Sequence, residues 1–276
     1  MPENSRHFYL DQLKARLEFY REIGITGLRV DPSSLVQKSF ERYLDSEPVS
    51  EGPGARQNVA EQPVLENIDT RPSTETASSP TLFETDLIPR NSIETLDQIL
   101  QDLGDCQRCK LCSTRKTIVF GSGNPQAALV FVGEGPGADE DEQGLPFVGK
   151  AGQLLTKIIE SIRLKREEVY ICNVVKCRPP GNRVPEPDEI AACSPFLFRQ
   201  LGSIRPKIIS CLGAAAAQTV LKTKAPIGKL RGRFHDLCGI KVMPTWHPSY
   251  LLRNPDAKRD VWEDMKKIRT LLDEIG

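Results

Sequence analysis

No run of about 18 apolar residues, the length a bilayer-crossing helix needs, occurs anywhere in the 276 residues. No charged-then-apolar leader opens the chain either. A membrane role is therefore not expected, and the compartment expected is the cytoplasm. Net charge is also missing, since 37 Lys and Arg balance 37 Asp and Glu. The balance hides a split. Residues 1–95 carry 10 basic against 16 acidic side chains, and residues 96–276 carry 27 against 21, so −6 faces +6. A mildly basic back part suits a chain that meets a polyanion, although solvated surfaces often show the same split. Histidine is scarce, at three. None of the three lies near the main cysteine run in sequence, which argues against a catalytic thiol–imidazole pair.

Cysteine, by contrast, is plentiful at eight. Without an export signal these thiols are expected to stay reduced and to serve as metal or cluster ligands rather than as a disulfide framework. Cys106, Cys109 and Cys112 form a Cys-x-x-Cys-x-x-Cys run, Cys177 follows an apolar segment, and Cys193 falls in a helical one. Close ligands joined to distant ones suit a structural four-thiolate site; both zinc and an iron–sulfur cluster accept such spacing, which does not choose between Cys109 and Cys112 as second ligand. Cys172, Cys211 and Cys238 sit in apolar surroundings and read as small core residues.

Residues 1–45 are predicted to form an N-terminal helical segment, in which Ser5–Ile23 places Phe8, Leu10, Leu13, Leu17, Tyr20 and Ile23 near helical spacing. A shorter helical piece falls over Ser34–Leu44. Residues 46–91 are rich in Pro, Ser, Thr and Glu and poor in aromatics, which predicts a disordered linker. A globular domain is predicted over 92–276, opening on a helix over Ser92–Leu103 with Ser92 as its cap. Strands are predicted at Ala127–Val132, Val169–Val175, Lys207–Leu212 and Ile240–Thr245. Helices fall at Ala151–Ile162, Pro187–Leu201, Ala214–Leu221 and Arg259–Glu274. That alternation predicts an α/β fold: a three-layer α/β/α sandwich around a four-stranded parallel sheet.

The chemistry is expected after the first strand, in GEGPGADEDEQGLPFVGKAGQLL (Gly133–Leu155). A strand, a glycine-rich loop and a helix place a ligand at the carboxyl ends of an open α/β sheet. Gly133, Gly135 and Gly137 permit close approaches that a side chain would block. The stretch is not GxGxxG, because its third glycine falls one position early, and it lacks the Lys-Ser/Thr ending of a P-loop. Five acids, Glu134, Asp139, Glu140, Asp141 and Glu142, suit a metal better than a phosphate; for 139–142 the plain reading is a solvated acidic loop. Glu134 stands apart at the mouth of the site. Phe147 is a core plug or a stacking platform.

Two further motifs matter. ICNVVKCRPPGNRVPEPDEI puts Asn173 near a strand end, where its amide could pair with an imide-like base edge or simply form a turn. TWHPSYLLRNP puts His247 just after a strand, a good position for an electrophile or proton donor. Leu251, Leu252 and Arg253 then read as an exposed wedge and phosphate anchor for DNA, or as one turn of core helix.

Together with CQRCKLCSTRKTIVFGSGNP, these three motifs strongly resemble the signatures of the family 4 uracil-DNA glycosylases, the iron–sulfur type. The resemblance covers about Cys106 to the C-terminus and is silent on the first hundred residues. It implies the same four-stranded sandwich and a [4Fe–4S] cluster on Cys106, Cys109, Cys177 and Cys193, with Cys112 an extra thiol. It makes Phe147 the ring that stacks on a flipped uracil, Asn173 the reader of the uracil edge and His247 the residue facing the uracil carbonyl. It makes Glu134 the motif acid, with Gly133 and Gly135 lining the site and Leu251, Leu252 and Arg253 on the DNA. The implied activity is hydrolysis of the N-glycosidic bond of deoxyuridine in single- or double-stranded DNA, leaving an abasic site, by a monomer. Residues 1–45 are then the candidate contact for a replication or repair protein. Two rivals are a binder that traps the sugar covalently on a histidine in an inserted loop, and a four-cysteine nucleic-acid-binding scaffold without catalysis. GLPFVGKAGQLL carries no such insertion, and Glu134, Phe147, Asn173 and His247 occur together, which disfavours both.

Overall fold

The computed structural model describes residues 94–275. The predicted N-terminal helices, the linker and the Ser92 cap lie outside the described residues. The first helix, α1 (Leu96–Leu103), is capped three residues later than expected, at Thr95. Gln98 N–H donates to Thr95 Oγ1 at 3.3 Å, and Thr95 N–H donates to Gln98 Oε1 at 2.8 Å. This reciprocal box satisfies two amide donors that the first turn leaves orphaned.

Six strands follow: β1 (Ser122–Gly123), β2 (Leu129–Gly133), β3 (Tyr170–Asn173), β4 (Ile208–Leu212), β5 (His235–Leu237) and β6 (Ile240–Thr245). They form one sheet in the order β1-β3-β2-β4-β6-β5. The inner four are parallel, as the sequence predicts. Two short antiparallel strands that the sequence reading missed, β1 and β5, cover the edges. β2, β3 and β4 are buried along their whole length. That is why they read as continuous apolar runs and not as alternating ones.

The helices are α2 (Ala138–Gln143), α3 (Lys150–Ser161), α4 (Pro187–Ile204), α5 (Ala214–Val220), α6 (Ile227–Leu230), α7 (Pro248–Arg253) and α8 (Lys258–Ile275). Leu197 and Leu201 of α4 and Ala216 and Ala217 of α5 pack on Val130, Val132, Ile209 and Val242. Alternate strand residues such as Phe131 and Ile171 point to the other face, where α3 buries Leu155, Ile158 and Ile159 and α8 buries Trp262, Met265 and Ile268. Each such side chain contributes roughly 1.5–3 kcal/mol of burial. No helix among the described residues is long and apolar enough to cross a membrane.

Because the inner strands are parallel, their carboxyl ends share one edge. Glu134 follows β2, Asn173 ends β3, and His247 follows β6 by two residues. The fold therefore delivers three remote sequence positions to one place.

Candidate active site

β2 and β3 bring Gly133 directly opposite Asn173. A Cβ on Gly133 would lie 2.3 Å from Asn173 Oδ1 and 2.5 Å from Phe147 Cζ. The missing side chain is thus what lets the amide and the ring converge. Asn173 is 1 % exposed, and its Oδ1 has no hydrogen-bond partner. An orphaned buried acceptor costs about 1–3 kcal/mol, which a ligand's N–H would recover.

Phe147 sits between α2 and α3 with φ +53°, a left-handed conformation rare for an aromatic residue. Two features hold it there. Glu140 accepts from Val148 N–H at 2.9 Å and Gly149 N–H at 3.0 Å, and also from Gly137 N–H. Gly152 lets α3 press against the Phe147 carbonyl, which a Cβ would meet at 1.9 Å. A strained conformation of this kind costs about 1–3 kcal/mol and persists only where its surroundings impose it. The Phe147 ring is buried and tilted 36° from the His247 ring, with centroids 5.6 Å apart.

His247 caps the N-terminus of α7. Ser249 N–H donates to Nδ1 at 3.1 Å, and Ser249 Oγ lies 2.7 Å from the same nitrogen. An Nδ1 that accepts carries no proton, so the proton of the neutral ring is on Nε2. Burial, reinforced by Arg253, lowers the imidazole from its ordinary 6.5 to about 4. The ring is neutral at pH 7, a donor rather than a cation. The strand end behind it is braced: Thr245 Oγ1 donates to buried Asp264 at 2.6 Å, Arg231 reaches both Asp264 oxygens at 2.9 Å, and Trp246 Nε1–H donates to Asp260.

The depressed value sets a pH dependence. The unfolded chain binds a proton as pH falls through 6.5, while the native ring stays neutral to about 4. Stability is therefore whole above 6.5 and falls by about 3 kcal/mol as pH drops toward 4. Thermal unfolding followed from pH 7 to 4 should show this slope. A His247→Asn variant, which has no group to titrate, should show less of it; an unchanged slope would contradict the neutral ring.

These groups line a cavity of about 340 Å³ with Glu134, Asn182 and Ser249. That is a volume typical of small-molecule sites. Glu134 is half-buried, and burial raises its carboxyl. Gly135 also lines the cavity. The reading of 139–142 as a solvated loop is corrected. The segment is α2, Glu140 organises the Phe147 loop, and buried Asp141 accepts from Lys116 and Thr117 N–H groups. The wedge reading is corrected in part. Leu251 is 1 % exposed and belongs to the core, whereas Leu252 is 47 % exposed. One residue advances a helix by about 100°, so adjacent leucines cannot share a face. Arg253 is exposed, within electrostatic reach of His247.

Ser249, Glu140 and Lys176 were missed from sequence. Lys176 is fully buried, with Nζ donating to the Asn173 carbonyl at 2.8 Å and to Gln200 Oε1 at 2.6 Å. The HPS triplet was the available signal for Ser249; nothing in NVVKC marks the lysine.

Cys109 and Cys193 lie within electrostatic reach of each other and of Cys106 and Cys177, and Cys112 within that of Cys109. Each of the first four sulfurs has an N–H donor. Arg108 serves Cys106 at 3.4 Å, Arg115 serves Cys177 at 3.5 Å, Lys176 N–H serves Cys193 at 3.3 Å, and Leu111 N–H serves Cys109. Burial raises the thiols of Cys109 and Cys193 and pushes Cys177 up to about 12. No group of three or more His, Cys, Asp or Glu among the described residues closes to the spacing of a single metal ion. Cys172 and Cys211 are core residues as expected. Cys238 is not: it lies half-exposed at φ +52° in the turn between β5 and β6.

A parallel sheet whose strand ends bring an amide and a neutral imidazole to a buried aromatic loop residue agrees with the comparison to known families. The Uracil DNA glycosylase superfamily matches residues 120–266, over half of the chain. The type-4 uracil-DNA glycosylase of Saccharolobus solfataricus is 47 % identical over 189 residues, covering 65 % of this chain and 88 % of that protein. That of Thermotoga maritima is 46 % identical over 187 residues, 66 % of this chain and 97 % of the relative. That of Archaeoglobus fulgidus is 43 % identical over 187 residues, 65 % and 94 %. The chain belongs to the type-4 uracil-DNA glycosylases of this superfamily.

Proposed function

We propose that the cavity receives a uracil swung out of DNA and that its residues break the bond from C1′ of deoxyribose to N1 of the base. The chain is then a DNA repair hydrolase that opens base excision repair by leaving an abasic site. The observation that carries the reading is the unpartnered, buried Oδ1 of Asn173, a residue that lines the cavity with Phe147 and His247.

The base stacks on Phe147. Asn173 accepts from uracil N3–H and donates to the adjacent carbonyl. Cytosine offers an amine where uracil offers an acceptor, and the mispaired amide costs about 1–3 kcal/mol. Extrusion is cheapest where the pair is already weak, as in a G·U mispair. The C1′–N1 electrons leave with the base, so the sugar gains oxocarbenium character while the uracil ring becomes anionic. Neutral His247 donates Nε2–H to the uracil carbonyl oxygen where that charge gathers, an interaction worth about 3–4 kcal/mol in comparable sites. Glu134 positions the water that adds to C1′ and stabilises the sugar cation. The water's oxygen ends on C1′, and a proton ends on uracil. Incubation with a uracil-containing oligonucleotide followed by alkali should give strand scission. An alkali-stable shifted band would mean covalent trapping, and an intact strand would mean a binder.

Cys106, Cys109, Cys177 and Cys193 would hold a [4Fe–4S] cluster; the N–H donor on each sulfur suits thiolate ligands. Bound there, the cluster supplies a brace between the start of the domain and the β3–α4 segment. Hydrolysis of a glycosidic bond transfers no electron. Cys109→Ser should lose the broad brown visible absorbance that zinc cannot give, and Cys112→Ser should keep it. The reverse result would exchange the two residues as ligand. Residues 1–45 we assign to partner docking and 46–91 to a tether, on composition alone, in a monomeric cytoplasmic protein.

A further inference from the structure

Among the described residues, the large apolar side chains that stand exposed are Leu100, Leu145, Val184, Leu252 and Ile275. Scattered singly, exposed apolar residues need no explanation. Three of these stand close in sequence to cavity residues. Leu145 precedes Phe147 by two residues, Val184 directly follows the cavity-lining Arg183, and Leu252 lies three residues after Ser249. Leu252 already has a role in the sequence reading. Val184, the most exposed at 64 %, has none.

The loop that carries Val184 is fixed. Arg178 Nε–H donates to Asn182 Oδ1 at 2.8 Å, and Asn182 N–H and Arg183 N–H donate to the Pro179 and Pro180 carbonyls. The Arg183 guanidinium forks onto Glu189 at 2.8 and 2.6 Å, and the Glu189 side chain is itself fully buried. Glu189 also accepts from Glu186 N–H at 2.7 Å, and Lys110 pairs with Glu186 from the cysteine run. Asn182 is held at φ +56°. A loop free to relax could lower its energy by folding Val184 inward. This one is bonded on both sides of the valine and holds it outward. Valine's branched Cβ adds stiffness of its own.

The cavity admits only a base that has left its stack, so duplex DNA must rest against these same walls. The Val184 loop follows β3 and the Leu252 helix follows β6, with β2 and β4 between them. The two segments thus leave the sheet on either side of its β2–β4 centre. The geometry points to Val184 as a second apolar wedge that enters the base stack beside the extruded nucleotide, across the cavity from Leu252. Rigid apolar wedges at base steps are how proteins partly unstack a duplex. This rests on the uracil-from-DNA reading above.

The test compares Val184→Ala, the conservative Val184→Leu and a control outside the mouth, Leu100→Ala. The readout is kcat/KM on one uracil oligonucleotide presented single-stranded, opposite A and opposite G. Val184→Ala should lose roughly tenfold or more opposite A, less opposite G, and stay within about twofold on the single strand, where nothing needs unstacking. Val184→Leu and Leu100→Ala should match the parent. 2-Aminopurine placed beside the uracil should brighten on binding to the parent and less with Val184→Ala. Equal loss on single- and double-stranded DNA, or no loss on either, would overturn the wedge. Failure of the parent itself to release uracil from the single strand would overturn the reading beneath it.

Discussion

Replacing His247 with asparagine is expected to slow uracil release by about 10²–10³-fold, the usual cost of deleting one oxyanion-hole donor. The choice of asparagine matters. Its Oδ1 can take over acceptance from Ser249 N–H, so α7 keeps its cap. What disappears is the Nε2 donor facing the cavity. Single-turnover rates on a uracil oligonucleotide would measure the loss, with circular dichroism and visible absorbance reporting an intact fold and cluster. Turnover equal to the parent's would remove His247 from the mechanism. The neutral ring is central here. A cation would interact strongly with any nearby anion, but burial holds the imidazole uncharged until about pH 4. Its donor is therefore ready at neutral pH without a prior protonation.

Gly133→Ala should be as damaging by a different route. The added methyl would meet Asn173 Oδ1 at 2.3 Å and Phe147 at 2.5 and 2.7 Å. These atoms are the far ends of side chains, so the fold can yield at a cost of about 1–3 kcal/mol. The site cannot, because those same ends hold the base, and misplacing reacting groups by about 1 Å costs on the order of 10²-fold. The expected product is a folded protein with that loss in kcat/KM and weakened inhibition by free uracil. Full activity would mean that Asn173 and Phe147 do not grip the base from the sides described.

The parts of the fold legible in the sequence were those governed by local pattern. The buried strands announced themselves as apolar runs, and the residues at their ends, Glu134, Asn173 and His247, could be placed because parallel strands share a carboxyl edge. What escaped depended on tertiary contacts. The acids after β2 resemble a solvated loop until Glu140 is seen accepting from amides eight and nine residues on. Leu251 and Leu252 look equivalent in a string, yet the turn of α7 sends one into the core. The edge strands β1 and β5 are two and three residues long, too short for a period to show. Lys176 is the sharpest case. A lysine in an apolar run argues for exposure, and only the Asn173 carbonyl and Gln200 explain how it is buried.

One pocket at the carboxyl edge of the sheet is expected to grip uracil between the Phe147 loop, the end of β3 and the segment after β6. A crystal structure of the His247→Asn protein soaked with free uracil tests it most directly. Density for the base is expected on the Phe147 ring, with its N3–H on Asn173 Oδ1 and a carbonyl oxygen toward residue 247. Density for uracil elsewhere, with this cavity empty, would contradict it.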